Sequence, residues 1–181
     1  RHFDHYDILL AMTDKMGGIG LEHHRSAENQ YEPTALTDWA AMDWDHNVVS
    51  HELVHSWNGK FRRPADLWTP DYRTPMQDTL LWMYEGQTQF WGWVLAARSG
   101  LQTKQTFLDA FATYAANYSE GQPGRAYRSV EDTTHDPIIN SRRPLPYSSL
   151  NRSEDYYVEG ALTWLEADQI IRDGTGGEKG L

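Results

Sequence analysis

The chain has 181 residues, a formal net charge of −10, 39% hydrophobic and 13% aromatic residues, and no cysteine. That length suits one domain with a real core, the aromatic content excludes a disordered segment, and the charge has the wrong sign for tracking nucleic-acid phosphates or an anionic membrane. Without cysteine there can be no disulfide, thiolate metal ligand, iron–sulfur cluster or thiol nucleophile, so any metal must be held by His, Asp or Glu.

In chain order, Arg1 opens the sequence without Met or a charged-then-apolar leader, and Leu181 follows a Gly-rich run, so 1–181 is expected to be a piece of a longer protein that forms a single domain. Tyr6 to Met12 is short and apolar and precedes Thr13-Asp-Lys-Met-Gly-Gly18, the pattern of a buried strand ending in a turn. No other segment reads as a strand. From about Ala35 onward helical signals dominate, over roughly 36–59, 78–98, 103–118 and 154–173, which places the chain among α-rich α+β folds. Between the last two helices, Ser119 to Arg152 is broken by Pro123, Pro137, Pro144 and Pro146 and is expected to be functional or packed on something else.

His51-Glu52-Leu53-Val54-His55 lies inside the first helix. Imidazoles four apart on a helix stand about 40° from each other around its axis and can reach one metal ion, while the intervening Glu can touch water bound there. Zinc suits that geometry. Val49, Leu53 and Trp57 recur every four residues on the side away from the His pair, so that apolar side is expected to face the core, and Asn58-Gly59 supplies a C-terminal stop.

A catalytic zinc ion needs a third protein ligand. From Thr79 to Ala97 the one formally charged residue is Glu85, set among Leu80, Met83, Tyr84, Phe90, Trp91 and Trp93. A helix apolar all round is buried, and a buried carboxylate needs a cationic partner, either a metal or an arginine such as Arg62. The apolar run approaches membrane-spanning length, but two Gly, two Gln and the Glu, with a mean hydropathy of −0.71, argue against a span.

His51-Glu-Leu-Val-His-Ser-Trp-Asn58, Tyr84-Glu-Gly-Gln-Thr88, Tyr156-Tyr-Val-Glu-Gly-Ala-Leu162 and Gly17-Gly-Ile-Gly-Leu-Glu-His23 together resemble the glycyl aminopeptidase family of gluzincin metallopeptidases, over nearly the whole chain. The resemblance implies a thermolysin-like catalytic domain in which one Zn2+ sits between a small strand-containing subdomain and a helical one. It implies His51, His55 and Glu85 as metal ligands and Glu52 as general base. Gly20 and Glu22 fall in the segment that lines the substrate cleft, where the Glu grips a peptide's free α-amine. Tyr157, three before Gly160, matches a Tyr that stabilises the tetrahedral intermediate. Glu159 departs from the pattern, since many relatives carry Lys there. The implied activity is removal of N-terminal Gly or Ala, with an endopeptidase or an inactive metal-stabilised binding module as the alternatives. The expected partners are a peptide with a free amine and the remaining domains, an N-terminal β domain and a C-terminal PDZ-type domain.

Overall fold

The computed structural model describes residues 3–136 and 146–181. The chain divides into two compact units, Arg1–Arg63 with Trp91–Ala110 and Pro64–Phe90 with Phe111–Leu181.

In the first unit, strands β1 (Asp7–Met12), β2 (Gly20–Glu22) and β3 (Ser26–Tyr31) form a sheet in the order β1-β3-β2, with β1 parallel and β2 antiparallel to the central strand. The first strand falls where the sequence predicts it. The other two were not expected, because β2 is three residues long and β3 alternates Ala27, Asn29 and Tyr31 into the interior with polar residues outside. A polar Asn at a core position masks the period-2 signal. Strand β1 is an edge whose Ile8, Leu9 and Leu10 are exposed.

The helix expected over 36–59 is shorter. Trp39–Met42 forms one 3-10 turn, and helix α1 covers Asn47–His55. Between them Asp43 is occupied elsewhere, its carboxylate accepting from the Thr106 hydroxyl and its carbonyl from the Gln102 amide. The buried side of α1 is also not the apolar one. Asn47, Ser50, His51, Glu52 and His55 are buried with Val54, whereas Val49 and Leu53 are half-buried and Trp57 is exposed. Ser50 explains part of this by donating to the Gly92 carbonyl at 2.7 Å, and a Cβ at Gly92 would meet the His51 backbone at 3.1 Å.

Helices α2 (Leu81–Ser99) and α3 (Lys104–Glu120) each contribute residues to both units. As its composition demands, α2 has no exposed residue from Leu81 to Ala97. No helix among the described residues is long and apolar enough to cross a membrane. In the second unit, α2 meets helix α4 (Asp155–Gly174) glycine to glycine. A Cβ at Gly86 would lie 2.7 Å from the Gly160 Cα, and Trp82 stacks on Trp164 with ring centroids 6.3 Å apart.

The segment ahead of α4 is pinned by buried charge. Arg152 donates to Asp155 Oδ2 at 2.7 Å and to Glu159, which also takes Arg125 Nε at 2.7 Å. Asp155 accepts from the Tyr118 hydroxyl at 2.8 Å, and Arg128 joins Asp136 at 2.8 Å while donating to the Asn151 carbonyl. Thr133 and Thr134 are buried here, so part of this proline-interrupted stretch is interior; Pro137 and Pro144 lie outside the described residues.

Two stability outcomes follow. Gly86→Ala must push the two helix backbones apart and is expected to cost about 1–3 kcal/mol in denaturant unfolding, in spite of alanine's better helix propensity. Arg152→Met strips the buried Asp155 carboxylate of its cation, while Glu159 keeps Arg125, and is expected to cost about 3 kcal/mol.

Candidate metal centre

Helix α1 places His51 and His55 one turn apart, both buried. His55 Nδ1 lies 3.0 Å from the Asn58 carbonyl, which can only accept, so Nδ1 carries the proton and Nε2 of the neutral ring keeps its lone pair. That Nε2 faces His51 Nε2 at 3.1 Å, with the rings nearly perpendicular at 81°. Asn58 is positioned by the turn that closes α1, in which Lys60 N donates to the His55 carbonyl at 3.0 Å and Asn58 bridges to Arg62.

His51, His55 and Glu85 each offer one ligand atom, and these three atoms lie within 4.8 Å of one another. Tetrahedral zinc with nitrogen ligands at 2.0–2.1 Å requires those nitrogens about 3.3 Å apart, close to the separation of the two Nε2 atoms. Two imidazoles and one carboxylate fit a divalent first-row metal in donor type as well as spacing. Among the described residues this is the one group of three or more His, Asp or Glu side chains that could hold a metal.

Glu52 follows His51 and is buried. It lies against β2 so closely that a Cβ at Gly20 would stand 2.2 Å from Glu52 Oε1. Any side chain at position 20 would have to displace that carboxylate. A cavity of about 360 Å3 opens beside it, lined in part by Gly18, Gly20, Tyr31, Met42 and Val48. The Tyr6 hydroxyl donates to the Glu52 backbone carbonyl at 3.1 Å, and burial first, then the charges of Glu52 and Glu22, push this phenol well above its usual range. Glu22, two residues beyond Gly20 on the same side of β2, has Lys60 Nζ 3.2 Å from its Oε1. His23 pairs with Glu28 at 3.0 Å.

In the second unit Tyr156 is buried and Tyr157 half-buried, with ring centroids 4.9 Å apart. Burial, then the charges of Glu154 and Glu85, raise the Tyr156 phenol. Glu159, two residues past Tyr157, has its charge answered by Arg125 and Arg152. The structure thus brings His51, His55 and Glu85 together and sets Gly20 on Glu52. Asn58, Tyr6 and Lys60 are further residues around α1 that sequence reasoning did not single out, since each is recruited by tertiary contact. Asn58 alone left a trace, as the polar end of the helix-stop signal.

The family model described as M61 glycyl aminopeptidase matches residues 44–163, about two thirds of the chain. A search of curated proteins finds no match. Among solved structures, the crystal structure of an aminopeptidase N family protein from Idiomarina loihiensis superposes with a TM-score of 0.81 at 22% identity, covering 98% of this chain and 31% of that one. At that identity the likeness establishes the fold alone, and the chain spans under a third of that protein's length.

The contact between Gly20 and Glu52 generates a prediction that separates folding from chemistry. In Gly20→Ala the clashing atom is the far end of a flexible side chain, so the melting temperature is expected to change little while the Glu52 carboxylate is displaced. If the Glu52 carboxylate moves a proton in a hydrolytic step, hydrolysis of a peptide substrate would fall at least about tenfold in this variant, as positioned proton transfer contributes about 10²–10⁴.

Proposed function

Because the chain belongs to the M61 glycyl aminopeptidase family, we propose that it is the catalytic part of a zinc-dependent aminopeptidase that removes small N-terminal residues, Gly and Ala, from peptides. The family is one of metallopeptidases, so the class is a hydrolase acting on peptide bonds. The observation that carries the proposal is the pair of facing imidazole nitrogens with Glu85 in reach, beside a buried glutamate that is not needed to hold the metal.

In this reading His51, His55 and Glu85 hold the ion. Zinc, when bound, supplies Lewis acidity that polarises the scissile carbonyl and acidifies water. Glu52 takes the proton from the attacking water and delivers it to the leaving amine. The Asn58 carbonyl fixes the His55 tautomer. Tyr157 donates its phenolic O–H as a hydrogen bond toward the oxygen on which negative charge grows. Glu22 binds the substrate's α-ammonium and so restricts cleavage to the first bond. The preference for Gly is supported by the family's description, and Ala is included as the next smallest side chain. The chain's share of the Idiomarina protein supports a single catalytic domain flanked by others in a longer polypeptide.

Two substitutions test the assignment in the intact protein. Glu52→Gln is expected to retain full zinc while turnover of alanyl and glycyl anilides falls by about two to four orders of magnitude; zinc loss in this variant would make Glu52 a ligand and overturn the scheme. Glu85→Gln should release zinc on dialysis and lower the melting temperature, because metal binding is coupled to folding. Unchanged zinc content there would remove Glu85 from the ligand set. An endopeptidase would cleave N-acetylated and free-amine substrates alike, so acetylation separates that alternative directly.

A further inference from the structure

Glu22 faces a cation supplied by the protein itself. Lys60 Nζ stands 3.2 Å from Glu22 Oε1, with the two side chains 23% and 19% exposed. Both ends of the pair are anchored. Glu22 closes β2, and Lys60 sits in the turn after α1, its amide bonded to the His55 carbonyl at 3.0 Å while Phe61 N and Arg62 N bond back to Ser56 and Trp57. Ser56 Oγ then donates to the His24 carbonyl at 2.5 Å, tying that turn to the β2–β3 connection. The ammonium is therefore held beside the carboxylate by the backbone on both sides.

We propose that Lys60 sets the affinity for the substrate's α-ammonium by acting as a built-in counter-ion of Glu22. The inference rests on the reading of Glu22 as the amine-binding residue and adds a specificity-determining residue to it. An ionised carboxylate offers two oxygens and about four acceptor positions, so the Lys60 contact to Oε1 does not by itself exhaust its capacity for a further donor. An arriving α-ammonium meets a half-neutralised carboxylate and a nearby like charge, and binds less tightly than to a bare carboxylate. Both products of aminopeptidase cleavage carry a free ammonium, the released amino acid and the shortened peptide. Weakened binding of that group lets both leave. Because the ammonium is bound alike in ground and transition states, the effect falls on KM and product inhibition rather than on kcat.

The experiment compares Lys60→Met, Lys60→Arg, Glu22→Gln and the Lys60→Met/Glu22→Gln double variant in the intact zinc-loaded protein, on alanyl and N-acetylalanyl anilides, with free alanine as inhibitor. Lys60→Met is expected to lower KM for the alanyl anilide and the inhibition constant of alanine by about three- to tenfold, a partly buried ion pair's worth, with kcat much less affected. Lys60→Arg should behave as wild type, the N-acetyl substrate should not respond, and the Lys60→Met effect should vanish in the Glu22→Gln background. An unchanged or raised KM in Lys60→Met, or an effect that persists in the double variant, overturns the role of Lys60 while Glu22 stands. If Glu22→Gln leaves the ratio of free-amine to acetylated cleavage unaltered, the reading of Glu22 fails and the Lys60 proposal with it.

Discussion

Helix α1 buries its polar side, and its surroundings answer the demand this makes. Two imidazoles and a carboxylate taken out of water are costly unless each finds a partner or a metal. Part of the answer around α1 comes from backbone groups and glycines. The Asn58 carbonyl takes the His55 proton, Gly92 lies flat against His51 while its carbonyl accepts from Ser50, and Gly20 leaves room for the Glu52 carboxylate. Each of these residues is determined by what α1 carries. The turn after the helix has the same origin, since its bonds to the ends of α1 are what hold Asn58 in place.

The chemistry of the site was more legible in the sequence than its packing. The His-x-x-x-His spacing and the lone charge of an otherwise apolar helix both pointed to residues that the structure draws together, because metal-ligand spacing and the cost of an isolated buried charge are local rules. The orientation of α1 was misjudged for a related reason. Hydrophobic periodicity assigns the apolar side to the core, yet here Trp57 is exposed and the polar side is covered. Strand β3 escaped notice because Asn29 occupies an interior position, and Lys60 could not be foreseen because its partner is distant in the chain. Helix boundaries for α2, α3 and α4 came within a few residues of expectation, since long segments with strong composition need little tertiary help.

The second unit shows how a departure from a family's sequence pattern is absorbed. Glu159, in its partly covered position, would be costly if its charge stood alone. It does not, since Arg125 and Arg152 both reach it, and Arg152 also binds Asp155 and through it Tyr118. The two motif glycines of this unit, Gly86 after Glu85 and Gly160 after Tyr157, meet at one crossing of α2 and α4. A pair of residues that reads as two separate sequence signatures is therefore a single steric requirement, with Glu85 and Tyr157 on the turns beside it.

Tyr147, Arg152 and Glu154, three non-glycine residues within eight positions, adopt positive φ of 62°, 58° and 51°, Tyr147 and Glu154 in the left-handed helical region and Arg152 with extended ψ. Such a conformation costs an ordinary residue roughly 1–2 kcal/mol, and the charge network around Arg152 offsets it where that side chain is bound on several sides. Glu154 stands outside that compensation: it precedes α4 without capping it and is only half-buried. Asparagine tolerates the left-handed region and can accept from the first amides of a helix. The entrance to α4 thus holds a reserve of thermal robustness, open to an engineer at Glu154.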